Sequence, residues 1–447
     1  MTPAADAGAE RMLCGWGRTG ATRARVHRPR TADDVALLVR RLAGRGGIAR
    51  GLGRSYGDAA QAAGGDVIDI TAMDRVLAFD ADSGSITVEA GISIGAVMET
   101  VLPAGWCVAV TPGTADVTVG GAIAADVHGK NHHVDGGFCD HVTSMRLCTG
   151  TGEMRDVTHE LEPDLFDATA GGMGLTGVVT EAHLRLLRVP GGLIATRRAR
   201  TRDLAHTMRA VAAAEDDQRY CVAWVDLCAP AGALGRGVVD SGDHAAGRRT
   251  PRARSRPHIP AAIPSGLIRR PGIRAFNAAR WHAGRSAAGL ATPGAFFHPL
   301  DRIGGWNRLY GAGGLIQYQF VVPTAAADVV TAVVRHLRAA RTPAALAVLK
   351  RLGPGRGMLS FPIEGWTLAV DVPARWPGLG DLLDELDEQV AGAGGRVYLA
   401  KDARLPPDLV PAMYPDLERW RGVQRRVDPA GVLRSDLATR LGLAGAA

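Results

Sequence analysis

The segment RGLGRSYGD (50–58) constrains the fold of this chain more than any other, because no helix follows it. In a doubly wound nucleotide-binding unit a glycine-rich turn leaves a strand and opens a helix, which completes the parallel crossover. Here AAQAAGGD leads straight into the apolar VIDI (67–70), so the order is strand, loop, strand. Gly51, Gly53 and Gly57 let the backbone turn tightly and approach a ligand. Their amides, with Arg54 and Ser55, suit a pyrophosphate. Taken alone, the loop reads equally well as a structural turn.

Two further glycine-rich segments follow. TPGTADVTVGGAIAADVHGKNHH (111–133) reads as a long loop in which Pro112, Gly113, Gly120, Gly121 and Gly129 force the chain close to something flat or charged. His128, Lys130, His132 and His133 crowd its end. A metal is the first thought for such a cluster. Spacing of i, i+4 outside a helix does not align imidazoles, however, and no carboxylate pair completes the set, so no metal is expected. ATAGGMGLTGVVTEA (168–182) is another glycine-rich turn entering a strand.

Around these segments the pattern is α+β. TADDVALLVRRLA (31–43) predicts a helix capped by Thr31, with Asp33 and Asp34 in its first turn and Val35, Leu38, Val39 and Leu42 on one face. ITVEAG (86–91) reads as a strand and 94–102 as a helix, with more strands near 142–150 and 176–187. From about 193 the strands CVAWVDL (221–227), LIQYQFVVP (315–323) and WTLAVDVP (366–373) alternate with helices over 325–340 and 379–392. The expected organisation is a flexible 1–14, a first domain over 15–192, and an antiparallel-sheet domain over 193–401 flanked by helices. A helical tail over 402–447 returns to the first domain.

Charge is uneven. The net charge is +7, and from Arg248 to Arg285 there are ten arginines and no acid. Pro251, Pro257, Pro260, Pro264 and Pro271 interrupt this stretch, which predicts an Arg-rich loop over about 240–295. With Ile259, Ile263, Leu267, Ile268, Ile273, Phe276 and Trp281 interleaved, the loop suits peripheral contact with an anionic membrane or a lipid phosphate. Nucleic acid is not expected, for want of aromatic platforms or a reading helix. No membrane span and no signal peptide are read, which favours a cytoplasmic protein. The six cysteines form no C-x-x-C pair and are expected reduced and mostly buried. Of 52 basic residues only Lys130, Lys350 and Lys401 are lysine. Arginine replaces lysine on a surface, but not where a compact or deprotonatable amine is needed, so all three are candidate site residues.

In their order and spacing the three glycine-rich segments resemble the FAD-binding domain of the vanillyl-alcohol-oxidase family, also called the p-cresol-methylhydroxylase type. The resemblance implies an FAD site drawn from Gly51, Gly53, Arg54, Ser55, Tyr56, Gly57 and Asp58. From the second segment it draws Gly113, Thr118, Val119, Gly120, Gly121, Ala125, His128 and Gly129. Gly174, Gly177, Val179 and Tyr398 complete it. Many members attach flavin through a histidine in a G-G-H-S pattern. Arg54 stands there in this chain, and TPGTADVTVGG holds no cysteine, so the FAD is expected to be non-covalent, with His128 as the alternative attachment point.

The second half narrows the resemblance. WNRLYG (306–311), QYQFVVP (317–323), VLKRLGPGRGMLSFPIEGWTLAVDVP (348–373), GGRVYLAKDAR (394–404) and RRVDPAGVLRSDLATRL (425–441) are similar to the branch of the family that oxidises the 2′-hydroxyl of polyprenylphosphoryl-β-D-ribose. That reaction gives a 2′-keto sugar, the first half of epimerisation to the arabinose donor of cell-wall polysaccharide, and a separate NAD(P)H-dependent keto-reductase completes it. The resemblance implies Lys401 as the base or alkoxide stabiliser, with Tyr56 and His128 next in line. Lys350, with Gln319 and Tyr310, would orient the sugar or its phosphate, and Lys130 would anchor the phosphate. Trp224, Gln317, Thr367 and Ala369 complete the substrate side. Thr367 and Ala369 stand where many relatives have Asn and Cys, which keeps open the same chemistry on another sugar, alditol, aldonolactone or nucleoside. An inactive flavin-binding scaffold is the non-enzymatic alternative.

Overall fold

The computed structural model describes residues 8–247, 256–260 and 268–443. The expected α+β architecture is present as three sheets with helices packed on them. The first sheet runs Ala9–Cys14, Ala21–His27, Asp66–Asp69, Gly47–Arg50. Its first pair is antiparallel, and its last two pairs are parallel. RGLGRSYGD leaves the strand Gly47–Arg50 and reaches Asp66–Asp69 without a helix, as its sequence predicts. The predicted helix is Ala32–Arg41: Thr31 Oγ1 accepts from Asp34 N, Asp34 reaches back to the Thr31 N–H, and Val35, Leu38 and Val39 are buried.

The second sheet is antiparallel and centres on the long strand Val178–Arg188. That strand pairs with Ser85–Glu89 on one side and Val142–Cys148 on the other, while Trp106–Val108 joins its far end. The third sheet has eight strands in the order Ala287–Ala291, Leu193–Arg200, Gly237–Ala245, Tyr220–Val225, Leu346–Leu352, Gly365–Pro373, Leu315–Pro323, Arg396–Val397. Helices Ala327–Ala339 and Leu379–Gly392 pack on it through Val330, Val333, Leu337, Leu383, Leu386 and Val390, all buried. One continuous core joins the second and third sheets.

The C-terminal segment folds back on the first sheet. Gly47 N donates to Val432 O (2.9 Å), Arg434 N donates to Gly47 O (2.7 Å), and the buried Asp428 carboxylate accepts from the N–H groups of Val432 and Leu433.

Three expectations need correction. Residues 9–14 are not a flexible terminus, because they pair in register with Ala21–His27. The segment 111–133 is not all loop, because Val119–Ala124 is a short helix capped by Thr118. The Arg-rich stretch falls partly outside the described residues (248–255 and 261–267), but where described it is mostly regular. Arg270–Ala283 is a helix, because Pro271 sits in the first turn, where a missing N–H costs nothing. Its inner face is anchored by Asn277, which donates to Asp226 (2.9 Å), and by Trp281, which donates to the Thr201 carbonyl (2.8 Å). Ala287–Ala291 is a strand paired with Leu193–Arg200. Among the described residues no helix is long and apolar enough to cross a membrane. All six cysteines are free, and all but Cys14 are buried.

Candidate active site

One face of the eight-stranded sheet lies against the glycine-rich loops and leaves a cleft between them. Register decides what that face carries. Gln317 pairs with Asp371, Gln319 with Ala369, and Val321 with Thr367. Across the next ladder Lys350 pairs with Thr367 and Val348 with Ala369. Directly paired residues share a face, so Gln317, Gln319, Lys350, Val348, Ala369 and Asp371 point the same way. Past the short strand Arg396–Val397 the chain turns, with Lys401 N donating to Tyr398 O (2.8 Å), and this brings Lys401 to the same cleft. Tyr56 N donates to Ala400 O (2.9 Å), which ties RGLGRSYGD to the Lys401 turn.

The cleft encloses about 1830 Å³ of empty space, open solvent at its mouth included. Gly51, Gly53, Arg54, Ser55 and Tyr56 line one end, and Gly113, Thr118, Gly120, Gly121, Ala125 and His128 line one wall. Gly174, Gly177, Val179 and Tyr398 join them, and Gln317, Gln319, Lys350, Ala369 and Lys401 face them. Side chains are excluded from the cradle. A Cβ at Gly51 would meet Thr118 Oγ1 at 2.2 Å, and Gly53 has φ +64 with Arg50 closing on it. One polar feature of the lining asks for a ligand: His128 Nδ1 is buried without a hydrogen-bond partner. Gln319 Nε2 lies 3.0 Å from His128 Nε2; with the amide donating, the imidazole proton sits on the unpartnered Nδ1. A dinucleotide with a phosphate end and a flat aromatic end fits such a cradle: bare backbone at one end, an apolar wall and an unsatisfied imidazole nitrogen at the other.

The electrostatics favour neutral bases. Burial, followed by the charges of Lys350, His132 and Lys401, pushes the His128 imidazole well below its usual range. Burial also lowers the Lys401 amine to about 8, against the opposing pull of Asp371. It lowers Lys350 to about 7, helped by the charges of Lys130 and Lys401. Asp371 moves the other way: burial raises its carboxyl to about 7, while Gln317 and Lys401 favour its charged form. Lys401 Nζ sits over the Tyr56 ring (4.0 Å to the centroid), and burial holds the Tyr56 hydroxyl well above its usual range. Gln317 Nε2 donates to both Asp371 Oδ1 (2.6 Å) and Tyr56 Oη (3.2 Å). The arrangement is a hydrogen-bonded set, Asp371–Gln317–Tyr56, with the Lys401 amine over the Tyr56 ring, beside a cleft with two amines whose pKa values burial brings near neutrality.

Eight expected residues lie outside the cleft lining. Gly57 packs backbone against backbone, since a Cβ there would sit 1.9 Å from the Asp402 carbonyl. Asp58 is held by Arg440 through two bonds (2.8 and 3.0 Å), so it docks the C-terminal segment. Val119 is fully buried. Gly129 offers its carbonyl to Lys350 Nζ (3.3 Å). Lys130 Nζ donates to the Phe296 carbonyl (2.6 Å) and lies over that ring. Trp224 shares the cleft face of the sheet through its pairing with Val348, but Arg280 stacks on it. Tyr310 packs with Tyr56 and Leu315 behind the cleft. Thr367 donates to Phe320 O (2.8 Å) and accepts from Gln319 (3.3 Å). Tyr398 does line the cleft, with its hydroxyl spent on the Ala125 carbonyl (2.8 Å) and its ring stacked on Phe361.

Sequence reading missed Asp371, Trp16, Trp306 and Asp301. Asp371 carried one usable signal, an acid inside the apolar run WTLAVDVP. Trp16 and Trp306 meet edge to face at the mouth (5.9 Å), and Arg54 lies over the Trp16 ring (4.1 Å). Arg54 is also bound to the Asp116 carboxylate (2.9 Å) and carbonyl (3.0 Å).

Comparison with known proteins agrees with this geometry. A family model described as an FAD binding domain matches residues 24–158. The chain is 39% identical to decaprenylphosphoryl-beta-D-ribose oxidase of Mycolicibacterium smegmatis, over 96% of this chain and 97% of that protein. It is 42% identical to an uncharacterized protein from the mprA 5′ region of Streptomyces coelicolor, over 79% of this chain and all of that protein. A cytokinin dehydrogenase 2 of Oryza sativa is 33% identical over 49% of this chain and 39% of its own length. With the cofactor cradle and near full-length similarity both in hand, the chain belongs to the family of FAD-dependent oxidoreductases that contains decaprenylphosphoryl-beta-D-ribose oxidase.

Proposed function

We propose that this enzyme oxidises the 2′-hydroxyl of a polyprenylphosphoryl-β-D-ribose to the 2′-ketone, with non-covalent FAD. The observation that carries the reading is the convergence of Lys401, Lys350, Gln319 and His128 on the glycine-lined cleft, joined to near full-length similarity to an oxidase named for that substrate. Bound FAD supplies the acceptor for the hydride that leaves the carbinol carbon. The chain supplies the binding, the orientation and the proton transfer.

Lys401 takes the hydroxyl proton at Nζ. Its amine, lowered to about 8 by burial, is available as a base in mildly alkaline solution. Tyr56 lies beneath that amine, and Gln317 ties the Tyr56 hydroxyl to Asp371, whose charge favours the protonated amine once the proton has been taken. Lys350 and Gln319 hold the sugar hydroxyls or the phosphate, and neutral His128 fixes the Gln319 amide. Lys130 and Thr367 act through others, Lys130 by fixing the 292–297 turn and Thr367 by aiming Gln319. Arg54 occupies the place of a tethering histidine and is engaged by Asp116, which supports a dissociable cofactor.

The ketone leaves for a separate NAD(P)H-dependent keto-reductase, because reduction from the other face is what inverts the carbon. The lipid tail of such a substrate calls for peripheral contact with an anionic membrane, and the Arg-rich helix Arg270–Ala283, with Phe276 60% exposed, suits that contact. The test is anaerobic mixing of the yellow protein with a prenylphosphoryl ribose, following oxidised-flavin absorbance. Rapid bleaching is expected. A protein that stays oxidised with it but bleaches with a free sugar, lactone or nucleoside overturns the substrate and keeps the chemistry.

A further inference from the structure

Four arginines converge on a second cavity that the chemistry of the cleft does not use. Arg270 and Arg274 come from the helix Arg270–Ala283, and Arg338 and Arg341 from the end of Ala327–Ala339 and the turn after it. Cys228, Ala229 and Pro230 form the remaining wall. The empty space is about 600 Å³, open solvent included, and among the described residues no acidic side chain lines it. The acid at the head of the Cys228 loop, Asp226, is committed to Arg236 (3.0 Å) and Asn277 (2.9 Å). Between Asp243 and Asp301 the sequence holds no acid at all.

Several features show guanidinium groups held together rather than dispersed. Arg270 and Arg274 are one turn apart on the helix face that carries the buried Ile273 and Asn277, which directs them into the cavity. Arg270 Nε is buried without a hydrogen-bond partner. Arg338 donates to the Ala229 carbonyl, which fixes its fork at the wall. Arg341 has φ +58, the left-handed region where glycine or asparagine is relaxed and arginine is not. The first turn of Arg270–Ala283 holds no acid, so cations gather at the positive end of a helix dipole. The unpartnered Arg270 Nε and the crowding of cations at a helix N-terminus are unfavourable alone, and a bound anion relieves both.

We propose that this cavity binds a phosphate group, free or as the headgroup of an anionic lipid, independently of the reaction at the cleft. Four guanidinium forks offer more N–H donors than the two oxygens of a carboxylate accept, whereas a phosphate or diphosphate matches them.

The test uses the FAD-loaded protein and two probes: inorganic pyrophosphate by titration calorimetry, and co-sedimentation with phosphatidylcholine vesicles with or without phosphatidylglycerol. The variants are the Arg270→Ala/Arg274→Ala pair and Arg341→Gly, which suits the left-handed backbone and so preserves the fold. Arg41→Ala/Arg425→Ala, exposed elsewhere, controls for net charge. Loss of these charge-assisted bonds weakens binding by roughly tenfold or more, with flavin reduction by substrate unchanged in detergent. Pyrophosphate binding that drops in the variants identifies a free-phosphate site. Vesicle binding that requires phosphatidylglycerol and drops in the variants identifies a headgroup site. Two results overturn the proposal: wild-type protein that takes up neither probe, or a control pair that loses as much binding as the cavity variants.

Discussion

The two walls of the cleft are built by opposite means. On the glycine-loop side the backbone itself is the surface, and its shape depends on side chains being absent at Gly51, Gly53 and Gly57. On the sheet side the surface is a row of functional side chains whose neighbours are fixed by strand register. The first wall is specified locally, within a few consecutive residues. The second is specified by pairing partners dozens of residues apart, which makes it easier to retune. Ala369 lines the second wall and Thr367 lies behind it, bound to Gln319, whereas the first wall is glycine backbone.

The contrast can be broken by experiment. The largest effect belongs to the sheet side: Lys401→Ala keeps the protein yellow but slows anaerobic flavin reduction by about 10²–10⁴-fold. A variant that loses FAD instead would show that Lys401 belongs to the cradle. On the loop side Gly57→Ala forces a methyl to within 1.9 Å of the Asp402 carbonyl. It should destabilise the fold by about 1–3 kcal/mol, read as a lower melting temperature, and an unchanged melt would mean the loop is not close-packed.

A subtler test concerns pH. Protonated Lys401 cannot accept the hydroxyl proton, so the flavin-reduction rate should rise with pH through about 8. The negative charge of Asp371 raises the Lys401 pKa. Asp371→Asn therefore moves that rise to lower pH, and a limb that stays in place disconnects Asp371 from Lys401. The smallest effect is expected for Thr367→Val, which removes the hydroxyl that meets Gln319 and Phe320. It should cost about 1 kcal/mol, seen as a modest rise in KM.

The same contrast explains what the sequence made legible. RGLGRSYGD, the Thr31-capped helix and the strand LIQYQFVVP announce themselves through neighbouring residues, and the structure has them where the sequence puts them. The three lysines stood out by rarity, and two of them reach the cleft. Lys130 does not, because its amine is taken by the Phe296 carbonyl, 166 residues away in sequence. Asp58 misled for a related reason: it sits in the loop motif, but its partner Arg440 lies 382 residues on. Asp371 was passed over because one acid in an apolar strand gains meaning only beside Gln317 and Lys401. The helix Arg270–Ala283 was hidden by prolines that read as breakers, although Pro271 falls where a helix accepts one.

The return of the C-terminal segment to the first sheet has a consequence for synthesis. The strand Gly47–Arg50, which leads into the phosphate-side loop, has Leu433 bridged to it in parallel, and Asp58 and Asp402 share Arg440. A nascent chain emerges from the ribosome N-terminus first, so the glycine loop is exposed long before the residues that brace it exist. The cradle is therefore finished last although it is translated first, and cofactor capture becomes an event of release rather than of elongation.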